Sequence, residues 1–413
     1  MKLPRFFRNI WLFLIIIGPG IITATAGNDA GGTATYSIVG AHFGYRLTWL
    51  LVLTTFVLVV VQEMNARMGA VTGKGLSDLI REQFGLRWTF VAMAVLLVAN
   101  VAVTISEFAG IAASLEIFGI SKYLSVPIIA FIIWYLIVHG SFKVVERVFL
   151  AVCLIYVSYV FSGVMARPDW GLALKSVVLP TIEFTPEYLR IMIALIGTTV
   201  TPWMLFFLQS NIVEKGVSFR KYRLQRFDTI FGSLSAGMIA FFIIVACAAT
   251  LHRYGIDIHS AEEAGFALRP LAGRFASYLF ALGLFGASTL GASILPLSSS
   301  YAICEAFGFE NGISKRFAEA PVFYGLYTAL ILAGAGIVLL PSISLIFVML
   351  LAQEINGVLL PVILVFMMLL INDRKLMGEH ANSGLYNLMS WATIGGLILL
   401  TLALIASSVF HLL

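Results

Sequence analysis

A single carboxylate, Asp29, lies in a glycine-rich interruption of an apolar stretch that runs from Ile17 to Gly32. An acid at membrane depth is costly, so it usually faces a cavity or a partner and marks a pathway. Glycines on both sides let a helix unwind and free its carbonyl groups, which lipid tolerates only where the backbone lines a cavity. A carboxylate among freed carbonyls is an oxygen-rich site for a cation. The alternative, a buried acid paired with Lys or Arg, has no partner, because no basic residue lies in the middle of a predicted span.

A second interruption lies at residues 197–203, which read Gly-Thr-Thr-Val-Thr-Pro-Trp. Pro202 removes a backbone donor and clashes with the preceding turn, and the glycine and the β-branched residues weaken the helix further. Thr198 and Thr201 flank this break, so their carbonyl or hydroxyl oxygens can face Asp29. The alternative for each hydroxyl is a hydrogen bond back to its own helix.

Three more polar side chains are predicted in or near the membrane. Gln353 offers an amide oxygen. Gln353, Glu354 and Asn356 cannot all face the same cavity, because neighbouring residues point to different faces of a helix. Glu107 can attract cations or carry a proton, or it can hold a broken helix through a hydrogen bond. Glu305, near the end of its span, is predicted to cap a helix or to extend toward the membrane surface.

The elements that position these residues are membrane helices. Hydrophobic residues make up 60% of the 413, charged residues 11%, and the mean hydropathy is +0.98, whereas a soluble domain has about a quarter charged residues. The composition therefore predicts an all-α polytopic membrane protein. Eleven segments are long enough to cross a bilayer, which takes roughly 20 residues: 9–40, 47–66, 88–118, 123–140, 146–166, 184–213, 228–251, 270–305, 320–340, 343–371 and 386–410.

Lys and Arg predict the orientation. With the N-terminus in the cytoplasm, 18 of the 26 fall in cytoplasmic segments and 8 on the other side. We therefore expect a multi-pass protein of the cell (inner) membrane with its C-terminus outside. The net charge of +5 is explained by the Lys and Arg residues that orient the protein in the membrane, so no nucleic-acid partner is expected. Lipid is the expected surrounding, and no obligate protein partner is evident.

The two breaks occupy corresponding places, in the first and sixth spans. Such a pair is typical of an inverted-repeat transporter whose site lies at the membrane midplane. We predict one transport domain over 1–413, with a first repeat at about 9–166, a second at about 184–371 and an additional helix at about 386–410. The alternative is two unrelated kinks.

Several motifs resemble the NRAMP divalent-metal transporters. Gly18-Pro-Gly, Asp29 and Gly40-Ala-His-Phe-Gly-Tyr45 are similar to the first helix of that family, 62–74 to its second helix and loop, and 372–378 to the segment after its tenth helix. The resemblance covers nearly the whole chain. It implies a LeuT/APC-type fold of five plus five helices with helices one and six broken, an eleventh helix, and transport of divalent cations.

The chain departs from the family at the ligands. The family motif Asp-Pro-Gly-Asn is replaced by Asp29-Ala30-Gly31-Gly32, so the Asn ligand is lost, and Met-Pro-His is replaced by Thr201-Pro202-Trp203. A thioether suits transition metals and disfavours hard cations. Mg²⁺ keeps several waters and needs only one or two carboxylates. The pattern therefore resembles the NRAMP-related magnesium transporters, whose members also take Mn²⁺.

These residues predict a midplane site for a largely hydrated ion. The resemblance and the two breaks give as metal site Asp29, Gly32, Thr198, Thr201 and Gln353, and as cavity or pathway Trp203, Glu107, Ala30 and Thr104. Trp203 is predicted to fill space at the cavity wall or, alternatively, to pack against lipid or a neighbouring helix. It cannot ligate a cation, because its indole nitrogen only donates hydrogen bonds. The metal is the transported substrate, and no cofactor is expected.

Proton coupling is predicted to be lost. The two histidines of the family's sixth helix are Trp203 and Leu208 here, and an acid of its third helix is Thr104. Histidine is the usual proton carrier near neutral pH. An inside-negative potential alone drives a divalent cation inward by about 4.6 kcal/mol at 100 mV. Glu107 stays as a possible proton site.

Other functions are less well supported. A proton-coupled transporter of Mn²⁺ or another transition metal is one alternative, and a sodium-coupled carrier of organic solutes with the same fold is another, although Asp29 disfavours an anionic substrate. A receptor or scaffold would be expected to carry a soluble signalling domain. An enzyme would need a nucleophile with its base, or a cluster of metal ligands, and the sequence offers neither.

Overall fold

The computed structural model describes residues 18–410 except 184, 218, 220–221, 257, 259–260 and 342–343. Residues 1–17, which include the start of the first predicted span, lie outside the described residues. The regular elements of the described chain are helical. The α-helices are α1 Pro19–Ala26, α2 Ala30–Phe43, α3 Thr48–Thr72, α4 Leu76–Glu116, α5 Lys122–His139, α6 Phe142–Cys153, α7 Val157–Met165, α8 Trp170–Val178, α9 Pro186–Thr199, α10 Pro202–Glu214, α11 Tyr222–Thr250, α12 Ala261–Phe307, α13 Pro321–Val338, α14 Leu345–Asn372, α15 Arg374–Met377 and α16 Gly384–Phe410.

Nine helical segments of the described chain are long and apolar enough to cross a membrane, and they coincide with predicted spans two to ten. The described part of the first predicted span consists of two short helices, α1 and α2, and α16 coincides with the eleventh. The helix of the third predicted span, α4, starts at Leu76, whereas the predicted span starts at residue 88. Its extra turns precede a kink at Gly85, whose φ of 75° only glycine adopts readily.

Both helix breaks form where the sequence predicts them. Between α1 and α2, Asp29 has an extended backbone and its Oδ1 accepts a hydrogen bond from the Gly32 amide at 2.6 Å. Asp is a favoured N-cap because it satisfies such an amide. Between α9 and α10, Val200 and Thr201 are extended. Pro202 then starts α10 at the position where a missing N–H costs nothing.

Helix α1 is fixed against α11 along its length. Asp228 of α11 accepts hydrogen bonds from the amides of Gly18, Gly20 and Ile21, at 3.3, 2.7 and 3.4 Å. A Cβ on Gly20 would overlap the backbone of α11, and a Cβ on Gly232 would overlap the backbone of α1. The two helices therefore pack backbone against backbone, and a buried carboxylate satisfies the first amides of α1.

Replacing Asp228 with alanine is expected to destabilise the protein. Three buried backbone amides would lose their acceptor, and an unsatisfied buried donor costs about 1–3 kcal/mol. We expect a lower midpoint of thermal unfolding for the purified protein in detergent. Asp228→Asn, which keeps an acceptor oxygen, is the control and should lose less. Equal losses in the two variants would contradict the capping role.

Candidate metal centre

The two helix breaks meet around Asp29. Its Oδ1 accepts hydrogen bonds from the Gly32 amide at 2.6 Å and from Nε2 of Gln353 at 3.1 Å. A Cβ on Gly32 would lie 2.7 Å from Oγ1 of Thr198 and 3.2 Å from Oδ1 of Asp29. Thr198 therefore faces Asp29 across the space that a side chain at position 32 would fill. α2 supplies the carboxylate, α9 the threonine and α14 the amide.

Several oxygens of the predicted ligands have no hydrogen-bond partner among the described residues. They are Oδ2 of Asp29 and the hydroxyls of Thr198 and Thr201. Thr199, by contrast, bonds back to the Leu195 carbonyl at 2.7 Å. The alternative of back-bonding is thus realised by Thr199 and not by the two selected threonines. A buried oxygen without a partner is costly, and a bound cation or its water would satisfy it.

Gln353 acts as a donor in this conformation. Its Nε2 points to Asp29, and its Oε1 accepts a hydrogen bond from Asn356 Nδ2 at 3.1 Å. Glu354 turns the other way and pairs with Arg190 at 2.9 Å. Asn356 was not selected from the sequence. Its spacing of three residues from Gln353, which places both on one helix face, is the signal that would have identified it.

The acid of the third span holds the broken first helix. Oε2 of Glu107 accepts a hydrogen bond from the Ala30 amide at 3.2 Å, while Oε1 has no partner in the described chain. Thr104 lies elsewhere. Its hydroxyl bonds back to the Asn100 carbonyl at 2.7 Å, and its methyl group packs against Gly334 of α13. The structure therefore brings Glu107 and Ala30 to the break, but not the Thr104 side chain.

Trp203 is fully buried at the start of α10. Its carbonyl accepts a hydrogen bond from Ser298 of α12 at 3.1 Å, and its ring lies 6.3 Å from that of Phe207. The indole Nε1 has no partner among the described residues. A buried donor that lacks an acceptor can bind a water molecule, in addition to the packing role.

A thioether beside the first break was missed by the sequence reasoning. A Cβ on Gly27 would overlap the terminal methyl of Met204 and lie 3.5 Å from its sulfur. Met204 follows Thr201 by three residues, so the signal was present in the sequence. The family's methionine ligand is absent from position 201, but a soft atom still lies next to the unwound segment.

The centre is closed and contains two acids. Asp29, Glu107, Thr198, Thr201, Trp203 and Gln353 are each 0% exposed. Within the described residues, neither Asp29 nor Glu107 forms an ion pair, and no group of three or more His, Cys, Asp or Glu side chains is arranged to hold a metal.

Comparisons with known proteins agree with this geometry. The model of one family, described as natural resistance-associated macrophage protein-like (Nramp), matches residues 20–407. A protein of Caldanaerobacter subterraneus subsp. tengcongensis named divalent metal cation transporter MntH is 26% identical over 406 residues, 92% of each chain. The manganese transporter of Eremococcus coleocola has a similar structure, with a TM-score of 0.76 at 21% identity over 98% of this chain and 88% of that one.

A more distant structure shows the fold class. MhsT in complex with L-phenylalanine matches with a TM-score of 0.58 at 13% identity, over 96% of this chain and 97% of that one. The predicted fold class, an all-helical transporter of the LeuT type with its first and sixth helices broken, is confirmed. The relatives are named as transporters, as the sequence predicts for this chain.

Proposed function

Because the chain belongs to the natural resistance-associated macrophage protein-like (Nramp) family, we propose that it imports divalent cations, chiefly Mg²⁺ and also Mn²⁺, by alternating access. One observation carries the proposal. At the two breaks, a buried carboxylate oxygen of Asp29 and the hydroxyls of Thr198 and Thr201 have no partner in the described chain. A transported cation would satisfy all three, and the metal is cargo rather than a cofactor.

The preference for Mg²⁺ rests on the kind and number of donors. The unpartnered acceptors among the candidate ligands are oxygens. The Met204 sulfur lies beside Gly27, and a Cβ on Gly32 would lie 2.7 Å from Oγ1 of Thr198, so these groups are closely packed. Mg²⁺ is bound by oxygen and gives up its waters reluctantly. A site with few protein ligands fits an ion that keeps most of its waters, and we propose that the site admits them when alternating access opens it. Gln353 is proposed to orient Asp29 and, when its amide turns, to offer its oxygen.

We propose that transport is uncoupled from protons. Trp203 and Leu208 replace the family's two histidines, and the side chain of Thr104 is turned away from the centre. The remaining acid, Glu107, is already engaged with the Ala30 amide through one oxygen. Without a relay of titratable groups, the membrane potential is left as the driving force.

The membrane arrangement is part of the same proposal. We keep one transport domain, with inverted repeats at about 9–166 and 184–371 and an added helix at about 386–410. The protein is placed in the cell (inner) membrane, with the N-terminus in the cytoplasm and the C-terminus outside. Protease accessibility of tags at the two ends of the chain, in right-side-out and inverted vesicles, tests this orientation.

Uptake into proteoliposomes tests the function. A trapped Mg²⁺ indicator and a trapped pH indicator are followed together, at an inside-negative potential. We expect saturable Mg²⁺ entry without acidification. Entry with acidification would overturn the uncoupled mechanism and point to Glu107. Entry of Mn²⁺ without Mg²⁺ would overturn the preference, and no entry of either ion would overturn the function.

Selectivity should depend on the residue at position 201. Thr201→Met places a thioether among the oxygens, and thioethers favour soft cations. We expect uptake of Mn²⁺ and Cd²⁺ relative to Mg²⁺ to rise about tenfold, the effect of roughly 1.4 kcal/mol. Competition assays measure the ratio. Thr201→Leu has a similar apolar bulk without sulfur, so the same shift in both variants would contradict a ligand effect.

A further inference from the structure

A cavity of about 500 Å³ lies on the side of the bundle that we assign to the outside. Three segments form its wall: the end of α2 with the residues after it, the residues between α7 and α8 together with α8, and the end of α11 with the residues after it. None of its lining residues belongs to the candidate metal centre. Its size falls within the range of small-molecule sites, about 300–1,000 Å³, so it has room for a ligand of its own.

Positive charge is concentrated around this cavity. Three arginines line it, Arg46, Arg167 and Arg253, and Asp169 is the one acid among the described residues that do so. Eight of the 26 Lys and Arg residues are assigned to this side of the membrane, and three of the eight meet here. Because membrane proteins keep most Lys and Arg on the cytoplasmic side, a cluster of arginines on the other side calls for a local explanation.

Two of the three guanidiniums have no partner within the described chain. Arg46 donates to Glu183 at 2.7 Å, whereas neither Arg167 nor Arg253 forms an ion pair or a side-chain hydrogen bond with a described residue. The carboxylate of Asp169 is engaged with a helix rather than with an arginine, because its Oδ1 accepts from the Leu172 amide at 3.0 Å and caps the start of α8. Two forks of N–H donors are therefore available at the cavity.

The backbone that carries these arginines is held in place. Arg167 has a φ of 51° and is the one residue other than glycine with a positive φ in the described chain. L side chains rarely adopt this conformation, and residues held in it cluster at active sites and ligand clamps. The Thr181 hydroxyl donates to the Arg46 carbonyl at 3.0 Å, and Nδ1 of His252, the neighbour of Arg253, donates to the Ala41 carbonyl at 2.9 Å.

We propose that this cavity binds a phosphate group through the guanidiniums of Arg167 and Arg253. Arginine–phosphate pairs are frequently bidentate, and a phosphate has enough oxygens to accept from two guanidiniums at once. Arg46 adds positive charge, and so does the first turn of α8, where Leu172 lines the cavity. A phospholipid headgroup and free inorganic phosphate share this chemistry. The proposal is independent of which cation the protein transports.

Equilibrium binding to the full-length protein in an uncharged detergent tests the proposal. The two probes are radiolabelled inorganic phosphate and a radiolabelled short-chain phosphatidylglycerol. We expect saturable binding of at least one probe, and binding at least about tenfold weaker in Arg253→Gln and in Arg167→Gly, as for the loss of hydrogen bonds to a charged group. Arg167→Gly removes the guanidinium at a backbone position that glycine adopts readily, so this variant should fold.

Two further variants and the choice of probes keep the result interpretable. Arg87→Gln removes an exposed arginine of α4 that does not line the cavity, and it should bind as the unmodified chain does. Arg253→Lys keeps the charge but loses the planar fork, so its binding should be weaker than that of the unmodified chain. Thermal unfolding of each preparation shows that the variant is folded.

The outcomes separate the two sources of phosphate. Binding of phosphatidylglycerol alone would support the site and assign it to a lipid headgroup, and binding of inorganic phosphate alone would support it and assign it to a soluble anion. Competition between the probes would show one site for both. The proposal is overturned if neither probe binds saturably, or if Arg253→Gln and Arg167→Gly bind as well as the unmodified chain. Mg²⁺ uptake is measured separately, since the transport function stands if this site fails.

Discussion

Asp29→Asn is expected to lower the initial rate of Mg²⁺ uptake into proteoliposomes by about thirtyfold or more. Asparagine keeps an oxygen that can accept from the Gly32 amide and from Gln353, so the cap and the local fold survive. What is lost is the negative charge that binds the cation. Removing one partner of a buried charge pair costs about 2–5 kcal/mol, and each 1.4 kcal/mol is tenfold.

A second capping aspartate gives the matched control. Asp373 caps α15 by accepting from the Lys375 amide at 2.8 Å, outside the central site. Asp373→Asn makes the same chemical change at the same kind of position, and uptake should stay near the unmodified rate. Equal losses in both variants would mean that capping, and not cation binding, explains the effect at Asp29.

Gly32→Ala is expected to separate stability from transport. Position 32 is helical, where alanine is favoured over glycine by about 1 kcal/mol, so the helix itself should not weaken. The added methyl would lie 2.7 Å from Oγ1 of Thr198, too close for the two atoms, so it would displace a proposed ligand of the ion. We expect Mg²⁺ uptake to fall at least about tenfold, the effect of roughly 1.4 kcal/mol. Uptake rates and thermal unfolding are measured on the same preparation.

Gly336→Ala is the control for this substitution. It lies in α13, and nothing stands within 4 Å of the Cβ that it would add. Transport should persist in Gly336→Ala and fall in Gly32→Ala. If Gly32→Ala transports Mg²⁺ normally, the ion does not need the Thr198 hydroxyl in its present position, and the ligand role proposed for Thr198 fails.

The breaks in the first and sixth spans could be predicted because their causes are local. Asp29 caps the helix that follows it, and Pro202 starts the next helix wherever the chain is placed. The ends of the third span could not be predicted by hydropathy. The segment from Leu76 to the kink at Gly85 is helical but not apolar throughout, so its extent depends on packing against other helices.

The orientations of side chains within the site depend on the tertiary structure and could not be predicted from the sequence. Gln353 and Glu107 could be selected by their residue types. Their hydrogen bonds could not be predicted: Gln353 donates to Asp29, and Glu107 accepts from the Ala30 amide. Thr104 was selected because of what the family has at its position, and its rotamer turns it to α13. The spacing of Met204 from Thr201 could have identified Met204, but not its contact with Gly27 across the two breaks.

Glu305 shows the same limit. Its place near the end of a span suggested a helix cap or a side chain extended to the surface. In the structure, the turns of α4 before Gly85 lie over the end of α12, and Gly75 covers the carboxylate. The burial of this acid is set by a helix start more than two hundred residues away in sequence, which hydropathy does not report.

The close packing of α1 on α11 has a mechanical consequence. Gly20 and Gly232 bring the two backbones together, and Asp228 binds the first amides of α1. α1 therefore cannot pivot alone, because tilting it would open backbone contacts along its whole length. It must travel with the adjoining part of α11 as one rigid arm, and the unwound residues between α1 and α2 form its hinge. Asp29 sits at that hinge, so the residue that would hold the ion is also the one at which the arm turns.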